Sequence, residues 1–470
     1  MIYSWLKTSV DLDFKRSGVL IVSALSIALS GCESTQPPDG EALTTALDAA
    51  ARAHVESELV PGVSVAVVQH GTALLERGYG YVDLEWGVRT PPDASYEIGS
   101  ITKQFTAAAI LLLEEEGKID LDADLTDYLD FDTQGYSVPV RRLLDHTSGI
   151  KGYTEMPIFG ELSAFSLPRD TLVRVVENEP FEFEPGTALI YNNSAYFLLG
   201  LIIEEISGVS YQEFIEESLF DVAGMKDSYY CSETAVRTNR AHGYDVLEEN
   251  RVIRKRYLDH TWPYAAGSLC STTKDLVAWN RALHGGELLS DSSYVAMTTP
   301  MPLEDGTRVR YAMGLTVTNQ DGHRLIAHGG GINGFTSDGL YYPDEDLMIL
   351  VLQNSTGAPG PRALSQALAA IVLGDFRDAE HAHFDGDLEE LAGSYVGPAR
   401  GTELSVIVSI KNGILELEMG GTPSVQPIYR DGLTWTSGPQ ELTFVRQRGR
   451  IVELRFDSVS GHYVLKRDSL

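Results

Sequence analysis

Apolar, β-branched runs occur at two widely separated places in the first 375 residues. GVSVAVVQ and ALLERGYG lie near the start; YAMGLTVTN, RLIAH, GFTSDGLYY and DLMILVLQN follow only after residue 310. The stretch between, from about 118 to 300, reads as mainly helical and loop-rich. Strands at both ends with helices in the middle require one sheet built from distant parts of the chain, with the helical insertion beside it. The fold class is therefore α/β: an antiparallel sheet flanked by helices, plus an α-helical subdomain. His70-Gly71-Thr72 reads as the turn of an opening β-hairpin, Glu41 to Glu58 as a helix before it, and Pro361 to Leu373 as a closing helix. Tight turns are expected at Gln320-Asp321-Gly322 and Pro343-Asp344-Glu345-Asp346.

After residue 376 the pattern changes. AEHAHFDGD reads as a linker, and residues 386–470 show alternating runs, SVIVSIKNG, ILELEMG, LTWTSG, ELTFVRQRG, IVELRFD and HYVLKRD. Their short turns predict a small all-β, barrel-like C-terminal domain. His381-Ala382-His383-Phe384-Asp385 has the start of a metal-ligand pattern, but Gly386 stands where a further histidine is needed, so a solvated linker is the better reading. The expected organisation is a leader over 1–31, a tether over 32–40, a main domain over 41–376 and the β domain over 386–470.

The leader has Lys15 and Arg16 before an apolar stretch from Gly18 to Leu29 that is too short to span a bilayer. It ends in Leu29-Ser30-Gly31-Cys32, which resembles the lipobox of bacterial lipoproteins. The resemblance implies cleavage before Cys32, acylation there, and attachment to a membrane without a transmembrane segment. Glu33 after the cysteine favours the periplasmic face of the outer membrane. Cys231 and Cys270 remain; in an oxidising periplasm they pair or stay as two buried thiols, and spacing does not choose. A formal net charge of −31 argues against nucleic acid as a partner.

The chemistry rests on a short spacing. Ser100 and Lys103 open the run IGSITKQFTAAAILLLEEEGKI, and residues three apart share a helix face. A serine hydroxyl needs a neighbouring base, and a desolvated lysine serves as one. Ser-x-x-Lys also occurs at Ser4/Lys7, Ser148/Lys151 and Ser271/Lys274. The first lies in the leader and the second is broken by glycine. In the third, Ser271 or Thr272 reads as a helix N-cap with Asp275 in the first turn. Only Ser100 precedes a buried apolar helix, with Gly117 as its stop signal. Standing alone, Ser100 also reads first as an N-cap.

Two further motifs support the nucleophile. Tyr191-Asn192-Asn193 follows the turn Pro185-Gly186 and precedes an apolar helix. A tyrosine beside a protonated lysine is expected to have a lowered pKa and to shuttle protons, and Asn193 to hydrogen-bond the lysine and a substrate amide. His328-Gly329-Gly330-Gly331 ends the strand pattern RLIAH, where glycine lets backbone approach a ligand closely.

The order Ser100-x-x-Lys103, Tyr191-x-Asn193, His328-x-Gly330 resembles the serine β-lactamase and penicillin-binding-protein superfamily in its class C-like branch. The resemblance covers about residues 45–375. It implies an acyl-enzyme mechanism with Ser100 as nucleophile, Lys103 and Tyr191 as proton carriers, and main-chain N–H groups of Ser100 and Gly331 as the oxyanion site. No metal or cofactor is implied. Class C β-lactamases carry Lys-Thr-Gly where this chain has His328-Gly329-Gly330, so a substrate-holding cation and hydroxyl are missing. The His-x-Gly form resembles the D-aminopeptidases, D-stereospecific peptidases and some esterases. The expected function is a D-stereospecific peptidase-like hydrolase of the cell envelope acting on small peptides or esters. A carboxylesterase, a weak β-lactamase and a slowly deacylating β-lactam sensor are the alternatives. Oligomeric state is left open. His-Gly-Gly-Gly also resembles the oxyanion loop of α/β-hydrolase lipases, but no Gly-x-Ser-x-Gly elbow occurs.

Overall fold

The computed structural model describes residues 40–320, 322–374, 383–420, 422–437, 440–458 and 461–468. The leader, Cys32, Asp321 and His381 lie outside the described residues. No described helix is long and apolar enough to cross a membrane.

The distant strand patterns join as expected. Among the described residues the main sheet has seven antiparallel strands, in the order Thr316–Gln320, His323–Ile332, Phe335–Tyr342, Leu347–Gln353, Gly62–Gln69, Thr72–Asp83, Val88–Arg89. Val65 lies opposite Val351 on one side and Arg77 on the other, so the N-terminal hairpin closes onto the last strand of the module. In that hairpin His70 (φ 49°) and Gly71 (φ 70°) both take left-handed backbone, which matches the twist of the flanking strands.

Strand Gly62–Gln69 is buried along almost its whole length because helices cover both faces of the sheet. Val63, Val65 and Val67 pack with Leu47, Ala51, Leu364 and Leu368 of helices Gly40–His54 and Pro361–Leu373. Ala66 and Val68 face the opposite way, into the core that holds Phe105, Ala108 and Leu111 of helix Thr102–Glu115. That helix is apolar all round and lies at the centre of the module. Each fully buried valine or leucine contributes about 1.5–3 kcal/mol of transfer free energy.

Several boundaries differ from expectation. The first helix stops at His54, not Glu58, because the chain turns there, Val60 N–H bonding Ser57 O at 3.0 Å, to bring Pro61 to the sheet. The strand expected to end at His328 runs on to Ile332, pairing Gly330 with Ser337 and Gly331 with Thr336. Ser100 does not open the α-helix; it lies in a 3-10 turn, Gly99–Ile101, that leads into it.

The C-terminal sheet is antiparallel in the order Ile414–Met419, Thr402–Lys411, Gly393–Ala399, Gly461–Arg467, Arg450–Ser458, Gln440–Gln447, Thr434–Ser437, Ile428–Asp431. It curls as a half-barrel around Tyr395, Val406, Leu417, Trp435, Phe444 and Leu465. Its strand Gly461–Arg467 also pairs with Leu189–Ile190 of the first module, Gly461 opposite Ile190, immediately before Tyr191. Arg455 bonds Asp305 at 2.6 Å, and Arg310 pairs with Asp457, across the same junction.

Candidate active site

Gly99, at φ 53°, gives the Ser100 turn its shape, and a Cβ there would stand 2.8 Å from Gly331 N. A Cβ on Gly330 would lie 2.0 Å from Ile98 O. The glycine run therefore lets the edge of strand His323–Ile332 lie directly against the serine turn. This brings the Ser100 and Gly331 main chains together, as the oxyanion expectation requires.

Lys103 is wholly buried, and its Nζ lies 3.2 Å from Ser100 Oγ, 2.8 Å from Asn193 Oδ1 and 2.8 Å from Ala266 O. Burial pushes its pKa well below the ordinary lysine value, the nearby Arg400 charge adds to that, and Glu155 opposes it. The two carbonyl-type oxygens only accept hydrogen bonds. A neutral amine therefore spends its two N–H groups on Asn193 and Ala266 and turns its lone pair to the Ser100 hydroxyl. That is the geometry of a general base on its nucleophile.

The orientation of Asn193 is set from further away. Its Nδ2 donates to Thr154 Oγ1 at 3.1 Å, and the Thr154 hydroxyl donates to the Glu155 carboxylate at 2.8 Å. Arg400 Nε donates to Glu155 Oε1 at 2.6 Å. A carboxylate only accepts, so the threonine hydrogen is committed to it, and the amide must present Nδ2 to the threonine and Oδ1 to the lysine. Thr154, Glu155 and Arg400 were not visible as site residues in the sequence. No motif spacing marks them, and Arg400 belongs to the C-terminal sheet.

Tyr191 precedes helix Asn193–Ser207, whose N-cap is Asn192, accepting from Ala195 N at 2.9 Å. Lys103 Nζ lies 4.7 Å from the centroid of its ring. Its hydroxyl is buried and lacks a hydrogen bond of ordinary length. The expectation of a lowered phenol pKa is not met. Burial pushes it up, with the Ser100 side chain and the Arg400 charge pulling only partly the other way. The physical reason is burial itself, which disfavours the phenolate more than the Ser100 side chain and the Arg400 charge favour it.

His328 is buried, with Nδ1 2.6 Å from Gly329 O and Nε2 2.9 Å from the Tyr311 hydroxyl. The carbonyl fixes the proton on Nδ1, so Nε2 accepts from tyrosine and the ring is neutral. Burial, with Lys103 nearby, lowers its pKa to about 3. The imidazole thus supplies no cation where class C enzymes place one.

The rival Ser-x-x-Lys pairs within the described residues are structural. Lys151 pairs with Glu182 at 2.7 Å, and Thr272 caps its helix by accepting from Asp275 N at 3.1 Å. Cys231 and Cys270 form a disulfide, resolving the open alternative, with Cys270 on the strand that pairs with Glu97 behind the serine turn. Among the described residues one group, Glu97, Glu233 and His260, has ligand-type atoms within 4.8 Å of one another. Lys255 and Arg240 already bond both carboxylates, which makes it an ion-pair node.

Comparison with known proteins agrees with this geometry. A D-aminopeptidase of Gluconobacter oxydans is 27% identical over 314 residues, covering 66% of this chain and 58% of that protein. The chain thus spans little more than half the length of that relative. A D-aminopeptidase of Brucella ovis is 26% identical over 409 residues, 87% of this chain and 76% of that protein. The octameric penicillin-binding protein homologue from Pyrococcus abyssi superposes with a TM-score of 0.63 at 26% identity, covering 89% of this chain and 99% of that one. Residues 47–373, which carry Ser100, Lys103, Tyr191, Asn193 and the His328 strand, match the Beta-lactamase family, and the chain belongs to it.

Proposed function

We propose that this protein is a serine hydrolase that cleaves amide or ester bonds through an acyl-enzyme on Ser100, with small peptides containing D-residues as its substrates. The observation that carries this reading is the Lys103 amine, buried and held by Asn193 and Ala266 with its remaining direction open to Ser100 Oγ. In the proposed reaction Ser100 Oγ attacks the carbonyl carbon and its proton passes to Lys103 Nζ. The N–H groups of Ser100 and Gly331 hold the oxyanion. Tyr191, kept protonated by its burial, delivers a proton to the leaving group and is recharged from Lys103. Water then hydrolyses the ester by the reverse proton path. The D-residue preference rests on the D-aminopeptidase relatives. The neutral His328 supplies no cation at its strand edge for a β-lactam carboxylate, unlike the lysine of class C enzymes.

The test is labelling with a fluorophosphonate and mapping of the modified peptide, followed by a screen against D-amino-acid amides, short esters and nitrocefin. Labelling at Ser100 with turnover of the D-amides is the expected result. No adduct at Ser100 defeats the proposal, and a burst without turnover identifies a sensor instead. We further propose lipid anchoring at Cys32 on the periplasmic face of the outer membrane, supported by Leu29-Ser30-Gly31-Cys32 after the apolar leader. Release of a Cys32→Ala variant from the membrane fraction is the expected outcome; wild type already found free of membrane would refute it.

A further inference from the structure

We propose that Arg400, at the tip of a hairpin of the C-terminal sheet, is the cation that receives a substrate carboxylate beside Ser100. This rests on the reading of Ser100 as nucleophile and adds the substrate class: peptides or esters that carry a free carboxylate close to the scissile bond.

The hairpin tip is built for its place. Ala399 pairs with Thr402, so Arg400 and Gly401 are the two turn residues. Gly401 takes φ 69°, and a Cβ on it would stand 2.4 Å from the Glu155 Cβ. Only glycine allows the turn to seat that closely on the first module. The same sheet is fixed to the segment before Tyr191 by the Gly461–Ile190 pairing, so the tip and the tyrosine are positioned together.

The guanidinium is only partly used by the protein. Its carbon lies 5.1 Å from the centroid of the Tyr191 ring, which Lys103 approaches to 4.7 Å. Nε bonds Glu155 and Nη2 lies 3.4 Å from Thr154 Oγ1, while Nη1 has no protein acceptor among the described residues. The Arg400 side chain keeps 35% of its surface open, against 14% for Glu155. The pair is therefore asymmetric: its anion is the more covered partner and its cation the more open one. A guanidinium has two donor edges and holds one carboxylate on each. Glu155 takes one edge, and the free one is left for a ligand.

Charge makes the assignment specific. Lys103 directs its N–H groups inward, and His328 is neutral with both ring nitrogens engaged. In a chain of net charge −31, a partly open arginine against the Tyr191 ring is a local reversal of the prevailing field. The cation that class C β-lactamases carry on this strand edge is absent here, and Arg400 supplies one from a different module.

The experiment uses full-length protein and two matched substrate pairs. N-acetyl-D-alanyl-D-alanine against its C-terminal amide places the carboxylate on the leaving side; the mono-4-nitrophenyl ester of glutarate against 4-nitrophenyl butyrate places it on the acyl side. The expected result is that wild type prefers the acid in one pair by about tenfold or more in kcat/KM, the scale of one charge-assisted hydrogen bond. Arg400→Gln lowers rates on both members but collapses that preference toward unity, and Arg400→Lys keeps part of it. No preference in either pair, a preference untouched in Arg400→Gln, or an equal fall on both members would each overturn the proposal. Fluorophosphonate labelling of wild type and variant separates the two claims, since loss of labelling in wild type indicts Ser100 and not Arg400.

Discussion

Two turns meet at this site, and they come to it by opposite routes. Ser100 and Lys103 are three residues apart and stand 3.2 Å from each other through the local geometry of one turn and one helix. Arg400 is carried by a separate sheet and is linked by hydrogen bonds to the same lysine through Glu155, Thr154 and Asn193. The first turn holds the serine and lysine proposed to make the covalent bond. The second holds charge and orientation, and it depends on the docking of one half-barrel against a helical module. Chemistry confined to one turn survives changes elsewhere in the chain, whereas a charge delivered across a module junction can be tuned or lost without altering the nucleophile.

The comparison can be broken most forcefully at its local end. Lys103→Ala is expected to lower kcat/KM by about 10²–10⁴, the usual contribution of a general base, with the far-ultraviolet circular dichroism unchanged. Because the base must be neutral, wild-type kcat/KM should fall as pH drops through the lowered Lys103 pKa, and Lys103→Ala should lose that limb. Near wild-type rates in the variant would remove the base from the account.

A smaller effect is expected in the middle of the chain of hydrogen bonds. Thr154→Val keeps volume but removes the hydroxyl that orients Asn193. The prediction is a loss of about fivefold, in kcat more than KM, since one hydrogen bond near 1 kcal/mol is removed from a positioning role. Unaltered kcat would mean that the C-terminal sheet and the nucleophile are not coupled along this route.

The remaining effect concerns stability. His328 has its folded pKa lowered from 6.5 to about 3, so between those values the unfolded chain binds the extra proton. Stability contributed by the neutral ring is complete above about 6.5 and is lost as pH falls toward about 3. Urea unfolding should show a steeper loss of stability over that window in wild type than in His328→Gln, by up to one proton's slope, about 1.4 kcal/mol per pH unit. Equal slopes would show that His328 charges in the folded state, and the cleft would then hold a second cation besides Arg400.

What could be read in advance follows from how local each signal is. The run from Ser100 to Gly117, the hairpin at His70-Gly71 and the strands flanking Pro343 all announce themselves by periodicity and turn residues. Strand Gly393–Ala399 did not, because Gly397 and Pro398 read as a break; it is stabilised by pairing with its neighbours on both sides. Ile428–Asp431, four residues between loops, is too short to carry a period. The upward direction of the Tyr191 shift depends on burial, which is not written in spacing.

The sequence by itself determined the closeness of Ser100 to Lys103, the order of the three motifs, and an α/β module followed by a β module, because helix and strand periods and turn residues are properties of neighbouring residues. Only the tertiary structure decided that the lysine is made far less basic, that the histidine carries no charge, that the two cysteines bond, and that an arginine from the last sheet stands at the tyrosine. Each of those is set by how much water remains around a group and which distant groups replace it, and that is fixed only once the chain has packed.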